Sequence, residues 1–165
     1  MSKANDIELR KFSLDDAKFL FEMGKDKLVQ QYLCGACCRT MEKAIELAEC
    51  YSNGDFKHDF YWAITLDNKI IGVIILVQFM TPYLDCSYYI SKPYRNQGIA
   101  ENSMKKAILW LKNNDTNHTG IDLIIENDNS ASKKVATKLG AKFFNKDTID
   151  GKIQCHYRID LTEEN

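Results

Sequence analysis

The chain has 165 residues, 45% of them hydrophobic and 27% charged, which is enough apolar material for a full core and excludes a disordered chain. A formal net charge of −1 supplies no overall basic field, so nucleic acid is not an expected partner. No apolar run approaches the roughly 20 residues that span a bilayer, and the segment from Met1 to Asp6 lacks the apolar centre of a signal peptide. The expected setting is the cytoplasm, with no membrane attachment. No repeat, low-complexity tract or Pro/Gly-rich linker divides the sequence, which reads as one domain over residues 1–165.

In chain order, Ile7 to Phe12 predicts a first strand. Ser13-Leu14-Asp15-Asp16 follows as a helix cap with acidic residues in the first turn, and Gly24 is the expected stop. A second helix begins after Thr40, carries Met41, Ala44, Ile45, Ala48 and Tyr51 on one face and ends at Asn53-Gly54. The stretch between the two helices has no readable period. It contains Cys34-Gly35-Ala36-Cys37-Cys38, whose Cys-x-x-Cys spacing raises zinc or thiol redox chemistry. A structural zinc site needs a second ligand pair, and none has matching spacing, so no metal is expected. The six cysteines are expected as reduced thiols.

Phe60 to Leu66 and Lys69 to Gln78 read as strands joined by a tight hairpin at Asp67-Asn68. The second is apolar at both phases from Ile70 to Val77, which predicts a central strand buried on both faces. Leu84, Cys86, Tyr88 and Ile90 then alternate with Asp85, Ser87 and Tyr89 until Pro93 ends the ladder. Ala100, Met104, Ala107, Ile108 and Leu111 recur at helical spacing, so a helix runs from Gly98 to about Asn113. Ile121 to Ile125 is a strand; after Asn127-Asp128-Asn129-Ser130 a helix carries Ala131, Val135 and Leu139 and stops at Gly140. Ala141 to Asn145 and Ile153 to Leu161 close the chain as strands around Ile149-Asp150-Gly151-Lys152, with Cys155 on the face of Ile153, Tyr157 and Ile159. The order is βααβββαβαββ, an α/β (α+β) arrangement in which a mixed sheet is flanked by helices.

Chemistry concentrates where the Tyr88 strand gives way to the Gly98 helix. The first turn of that helix leaves four N–H groups without intrahelical partners at the positive end of the dipole. Gly98 lets a ligand approach the backbone, and Lys92 and Arg95 add positive charge, so the step reads as a phosphate cradle. No Gly-x-Gly-x-x-Gly follows a strand and no Gly-Lys-Ser/Thr ending is present, which argues against dinucleotide and nucleoside-triphosphate loops.

Arg95-Asn96-Gln97-Gly98-Ile99-Ala100 fits Arg/Gln-x-x-Gly-x-Gly/Ala and resembles the acetyl-CoA pyrophosphate loop of the GCN5-related N-acetyltransferases, the GNAT family. Asn129-Ser130-Ala131-Ser132-Lys133-Lys134-Val135-Ala136-Thr137-Lys138-Leu139-Gly140 resembles the Asn-x-x-Ser-x-x-Val-x-x-Lys-Leu-Gly segment of its RimJ/RimL branch, and Phe60 to Gly72 is similar to that branch's hairpin. The branch acetylates ribosomal-protein N-termini and assorted small amines. The predicted element order matches the acyl-CoA N-acyltransferase fold of the family, with a mixed, mostly antiparallel sheet.

The resemblance implies direct transfer of the acetyl group of acetyl-CoA to a primary amine, either a protein N-terminus or a small amine. It implies that the backbone of Tyr88, Tyr89 and Ile90 receives pantetheine and polarises the thioester oxygen. By the same match, the N–H groups of Arg95, Asn96, Gln97, Gly98, Ile99 and Ala100 hold the pyrophosphate. Asn129 would bond the pantetheine arm, and Ser132 would lie near the sulfur as donor to the departing thiolate. Ala136 stands where members outside the branch place a tyrosine acid, which leaves Tyr88, Tyr89, Tyr94 or water as alternatives to Ser132. An amine with a solution pKa of about 10.4 is protonated at neutral pH and must lose a proton. Asp85, in the place of the branch's usual Glu, is the candidate, as base, through water, or as an anchor for the ammonium; His58 and His156 are alternatives. Acceptor choice is expected in the two-helix region. A non-catalytic acyl-CoA-binding module, a polyamine or antibiotic acetyltransferase of the same fold, and a monomer or a homodimer all remain open at this point.

Overall fold

Strand β2 (Asp59–Leu66) sends Phe60, Trp62 and Ile64 to one side and Tyr61 and Ala63 to the other, and both sides are buried. Period-two alternation with apolar residues in both phases therefore builds two cores, one on each face of the sheet. The structure, a computed structural model, describes residues 6–33 and 38–163. Its remaining strands are β1 (Glu8–Lys11), β3 (Lys69–Gln78), β4 (Tyr83–Ile90), β5 (Gly120–Glu126), β6 (Lys142–Ile149) and β7 (Lys152–Asp160). They form one seven-stranded sheet in the order β1-β2-β3-β4-β5-β7-β6. Every neighbouring pair is antiparallel except β4 and β5.

Against the Phe60 face lies α4 (Ile99–Asn114), which contributes Ile99, Met104, Ala107 and Leu111, together with Ala136 from α5 (Ser130–Lys138). The opposite face is covered by α1 (Ala17–Gly24) and α3 (Met41–Ser52), through Leu20, Met23, Ala44, Ala48 and Tyr51. Met104 is fully buried, so truncating it to alanine is expected to cost roughly 2–5 kcal/mol. β3 stands third in the sheet and buries Ile71, Val73, Ile74 and Leu76, as its unbroken apolar run predicts. Asp67 and Asn68 at the β2–β3 turn both take positive φ, 50° and 62°, the conformation that a two-residue hairpin needs.

Three local expectations need correction. Helix α3 buries Ala44, Ala48 and Tyr51, but Met41 and Ile45 are exposed; the helix opens on a Thr40 cap and meets the sheet with a stripe narrower than its sequence pattern. The element order also gains a helix, α2 (Lys27–Tyr32), in the stretch that shows no period. Six residues are too few to display one, although Asp26 caps it by accepting a bond from the Leu28 N–H at 2.9 Å. Finally, the β6–β7 hairpin extends well beyond Asn145, to Ile149, and every residue of β6 is exposed, Phe143 and Phe144 included. Cys155 on β7 is buried as expected, whereas Ile153 is exposed on the same strand.

Of the Cys-x-x-Cys motif, Cys34 and Cys37 lie outside the described residues. Cys38 is buried against the end of α1, where a Cβ on Gly24 would come within 2.5 Å of its carbonyl oxygen. Gly24 is thus demanded by close packing rather than by a left-handed helix end, since Lys25 forms the C-cap in right-handed conformation. Among the described residues no group of three or more His, Cys, Asp or Glu side chains is arranged to hold a metal ion, and no helix among them is long and apolar enough to cross a membrane.

Candidate active site

The parallel pair is where the sheet opens. β4 and β5 are in register only at Tyr83 with Gly120, Leu84 with Ile121 and Asp85 with Asp122. From Cys86 onward β4 continues to pair with β3 as far as Ile90, but it has no partner on the β5 side. A slot of about 790 Å³ occupies the gap, within the size range of ligand cavities. Its walls include Tyr88, Tyr89 and Ile90 from β4, Leu123 and Ile125 from β5, and Asn129 and Ser132 at the start of α5.

At one end the slot meets the N-terminus of α4. Arg95, Asn96, Gly98, Ile99 and Ala100 line it, whereas the Gln97 side chain turns away and donates to the Pro93 carbonyl at 2.9 Å. Asn96 and Gly98 are both left-handed, with φ of 59° and 76°, which folds the loop tightly ahead of Ile99, whose side chain is buried as its anchor. The first turn of a sixteen-residue helix, whose N–H groups lack intrahelical partners, lies at this end, a setting suited to an anion. Glu101 in the same turn would oppose that, but Lys105 and Lys138 bond its carboxylate at 2.6 and 3.2 Å.

Arg95 does not reach into the slot as a free cation. Its Nε donates to the Ile90 carbonyl at 2.8 Å and its guanidinium pairs with Asp26 at 2.6 Å, stacked over the Tyr89 ring. Burial raises the Asp26 carboxyl, but the Leu28 amide, Arg95 and the Tyr89 hydroxyl outweigh it and hold the group below the usual carboxylate range. Neither Asp26 nor α2 figures among the residues singled out in the sequence. The available signal was weak: an Asp two residues before a short apolar pair, Leu28-Val29, which is a helix cap.

At the other end, Asn129 accepts a bond from the Ser132 N–H at 3.1 Å and so caps α5. Ser132 faces Tyr88 across the slot; burial pushes the Tyr88 phenol up to about 12, with the Ser132 hydroxyl pulling the other way. Tyr88 and Ser132 are therefore brought together. Asp85 lies outside the slot's lining, on the face of β4 opposite to Tyr88, at the last paired rung. Burial raises its pKa, Asp122 beside it raises it further, and His156 opposes them. Asp122 is itself neutralised by Arg158, which clamps it with bonds of 2.6 and 2.7 Å and stacks over Tyr83. His156 pairs with Asp147 at 3.0 Å, while His58 lies on an exposed turn bonded to Asp55 at 2.8 Å.

The profile of the family described as "Acetyltransferase (GNAT) domain" matches residues 6–142. No curated protein matches. Among solved structures, the chain resembles an acetyltransferase of the GNAT family from Bacillus anthracis at a TM-score of 0.82 and 17% identity, with 96% of each chain covered. It also resembles spermidine N-acetyltransferase from Vibrio cholerae in complex with CoA and spermine, at a TM-score of 0.81 and 13% identity, covering 96% of this chain and 97% of that one. A third is a provisionally assigned ribosomal-protein-serine acetyltransferase from Vibrio cholerae, at a TM-score of 0.75, 15% identity and 94% coverage of both chains. At these identities the likenesses establish the fold. With the family profile spanning most of its length, the chain belongs to the GNAT acetyltransferases, enzymes that depend on acetyl-CoA.

Proposed function

We propose that this protein transfers the acetyl group of acetyl-CoA directly to a primary amine, with the cofactor in the β4–β5 slot and the amine arriving from the Asp85 face of the sheet. The observation that carries the reading is the parallel pairing that stops at Asp85, which leaves the β4 edge unpaired beside the N-terminus of α4. The site fits the cofactor at both ends. The N–H groups from Arg95 to Ala100 suit the pyrophosphate, with Gln97 contributing backbone only, and the unpaired edge at Tyr88, Tyr89 and Ile90 suits the pantetheine and thioester. Asn129 suits the pantetheine arm.

In the reaction the amine nitrogen attacks the thioester carbonyl, the C–N bond forms, the C–S bond breaks and the sulfur leaves as thiolate. A backbone N–H at the open edge of β4 would stabilise the developing oxyanion, a contribution of about 3–4 kcal/mol in comparable sites. Ser132 donates a hydrogen bond to the departing sulfur, the proton that the nitrogen sheds as the intermediate collapses to the amide ends on that thiolate, and Tyr88 beside it is a phenol kept protonated by burial. Asp85 receives the amine as ammonium or takes its proton. Burial and the neighbouring Asp122 raise its pKa, the direction that suits a proton acceptor.

The segment from Asn129 to Gly140 supports a RimJ/RimL-like member, and with it a protein N-terminus or a small amine as acceptor. The test is release of CoA from acetyl-CoA in the presence of an amine panel: peptides with free Ala or Ser N-termini, polyamines, aminoglycosides and amino acids. Release that depends on one amine class supports the reading and names the acceptor; acetyl-CoA binding without release across the panel would favour a binding module.

A further inference from the structure

Helix α2 crosses the slot between two of its motifs, and hydrophobic packing does little to hold it there. Of its six residues only Val29 is buried. Its first end is tied through Asp26, whose Oδ1 accepts the Leu28 N–H at 2.9 Å while Oδ2 accepts from Arg95 at 2.6 Å and from the Tyr89 hydroxyl at 3.2 Å. Arg95 in turn holds the carbonyl of Ile90, where β4 ends and the phosphate loop begins. At its other end the Tyr32 hydroxyl donates to Asp128 at 3.4 Å, one residue before Asn129. Leu28, Val29, Tyr32 and Leu33 form a wall of the slot. One carboxylate thus fixes the phosphate loop, the end of β4 and the helix that walls the slot in a single register.

We infer that Asp26 is a positioning residue that couples occupation of the phosphate loop to the placement of α2, so that cofactor binding sets the wall against which the acceptor docks. The inference rests on the proposed acetyl-CoA site. A ligand at the loop stabilises the Arg95–Asp26 arrangement only if it binds that arrangement better than others, and the same free energy then appears as order in α2. The link is partly shielded, with the Arg95 and Asp26 side chains 23% and 15% exposed, so water and salt screen it less than a surface pair. Asparagine caps a helix as well as aspartate does, so Asp26→Asn removes the charge of the pair and leaves the cap.

The experiment is amide hydrogen exchange across Lys27–Tyr32 with and without saturating CoA, in the wild type, in Asp26→Asn and in Arg95→Gln. The Arg95 variant breaks the same pair from the loop side and keeps the inference testable should Asp26→Asn not fold. In the wild type, CoA is expected to slow exchange in α2 by about fivefold or more, the lower range of ordinary coupling between sites. Each variant is read at a CoA concentration that saturates it, higher for Arg95→Gln, which keeps the backbone N–H of the loop but loses a side chain beside it, and neither is expected to slow α2. CoA binding with no change in wild-type α2, or full slowing in a folded variant, would overturn the coupling and leave the proposed function intact. Failure of CoA to bind the wild type would overturn both.

Discussion

Two aspartates on the same side of the sheet mark the two ends of the site, and their surroundings push them in opposite directions. Asp26, at the phosphate end, is partly buried yet held charged, because the Leu28 amide, Arg95 and Tyr89 more than offset the cost of burial. Asp85, at the end where β4 and β5 part, is raised by burial and by the neighbouring Asp122, whose own charge is already committed to Arg158. A carboxylate whose lone pairs are taken up by donors builds structure. One that is partly desolvated beside another carboxylate is poised to bind a proton, and a nucleophilic amine brings one. On the proposed function, the phosphate end is thus a fixed scaffold, and the amine end is where charge changes.

The largest break in this comparison comes from the scaffold side. Gly98→Glu puts a side chain at φ 76° and a negative charge at the anion end of α4, and turnover with acetyl-CoA is expected to fall below detection. Next is Asp85→Asn, for which kcat/KM at neutral pH should fall by roughly 100-fold or more, the lower range for loss of a general base. The same substitution should raise stability. A carboxyl whose folded pKa is raised contributes stability that is full below its unfolded pKa and is lost as pH rises through the folded value; asparagine removes that loss. Urea denaturation should show Asp85→Asn above the wild type at pH 7, with the gap closing near pH 3.

Ser132→Ala sharpens the comparison from inside the slot. It should lower kcat about tenfold, with acetyl-CoA binding little changed, while Tyr88→Phe lowers kcat less; steady-state kinetics with a fixed amine separates the two. The smallest effect belongs to Asp26. Its folded pKa is depressed, so its contribution is present above the unfolded carboxylate pKa and is lost as pH falls through the folded value. Asp26→Asn should therefore flatten the acid limb of the stability profile and leave the alkaline limb unchanged.

The same contrast governs what the sequence revealed. The step from β4 to α4 was legible because its signals are local: the strand period breaks at Pro93, Gly98 precedes a helical period, and the whole step fits within thirteen residues from Tyr88 to Ala100. The central position of β3 was legible from its unbroken apolar run. The partner that holds the loop was not, because Asp26 lies 69 residues away from Arg95 in sequence, and a six-residue helix carries no period. Asp85 was picked out by the family resemblance, as the residue in the place of the branch's usual Glu, but its pairing with Asp122 depends on the one parallel register in the sheet, which no local pattern encodes. Exposure of Met41 and Ile45 shows the converse: an apolar stripe in a helix states what can be buried, and the neighbouring elements decide how much of it is.

The most direct test of the account is a calorimetric titration of the wild-type protein with CoA and, separately, with pantetheine. If the α4 N-terminus holds the pyrophosphate, CoA binds one-to-one and at least about 100-fold more tightly than pantetheine, a difference of about 2.8 kcal/mol. Equal affinities for the two, or no binding of CoA, would contradict it.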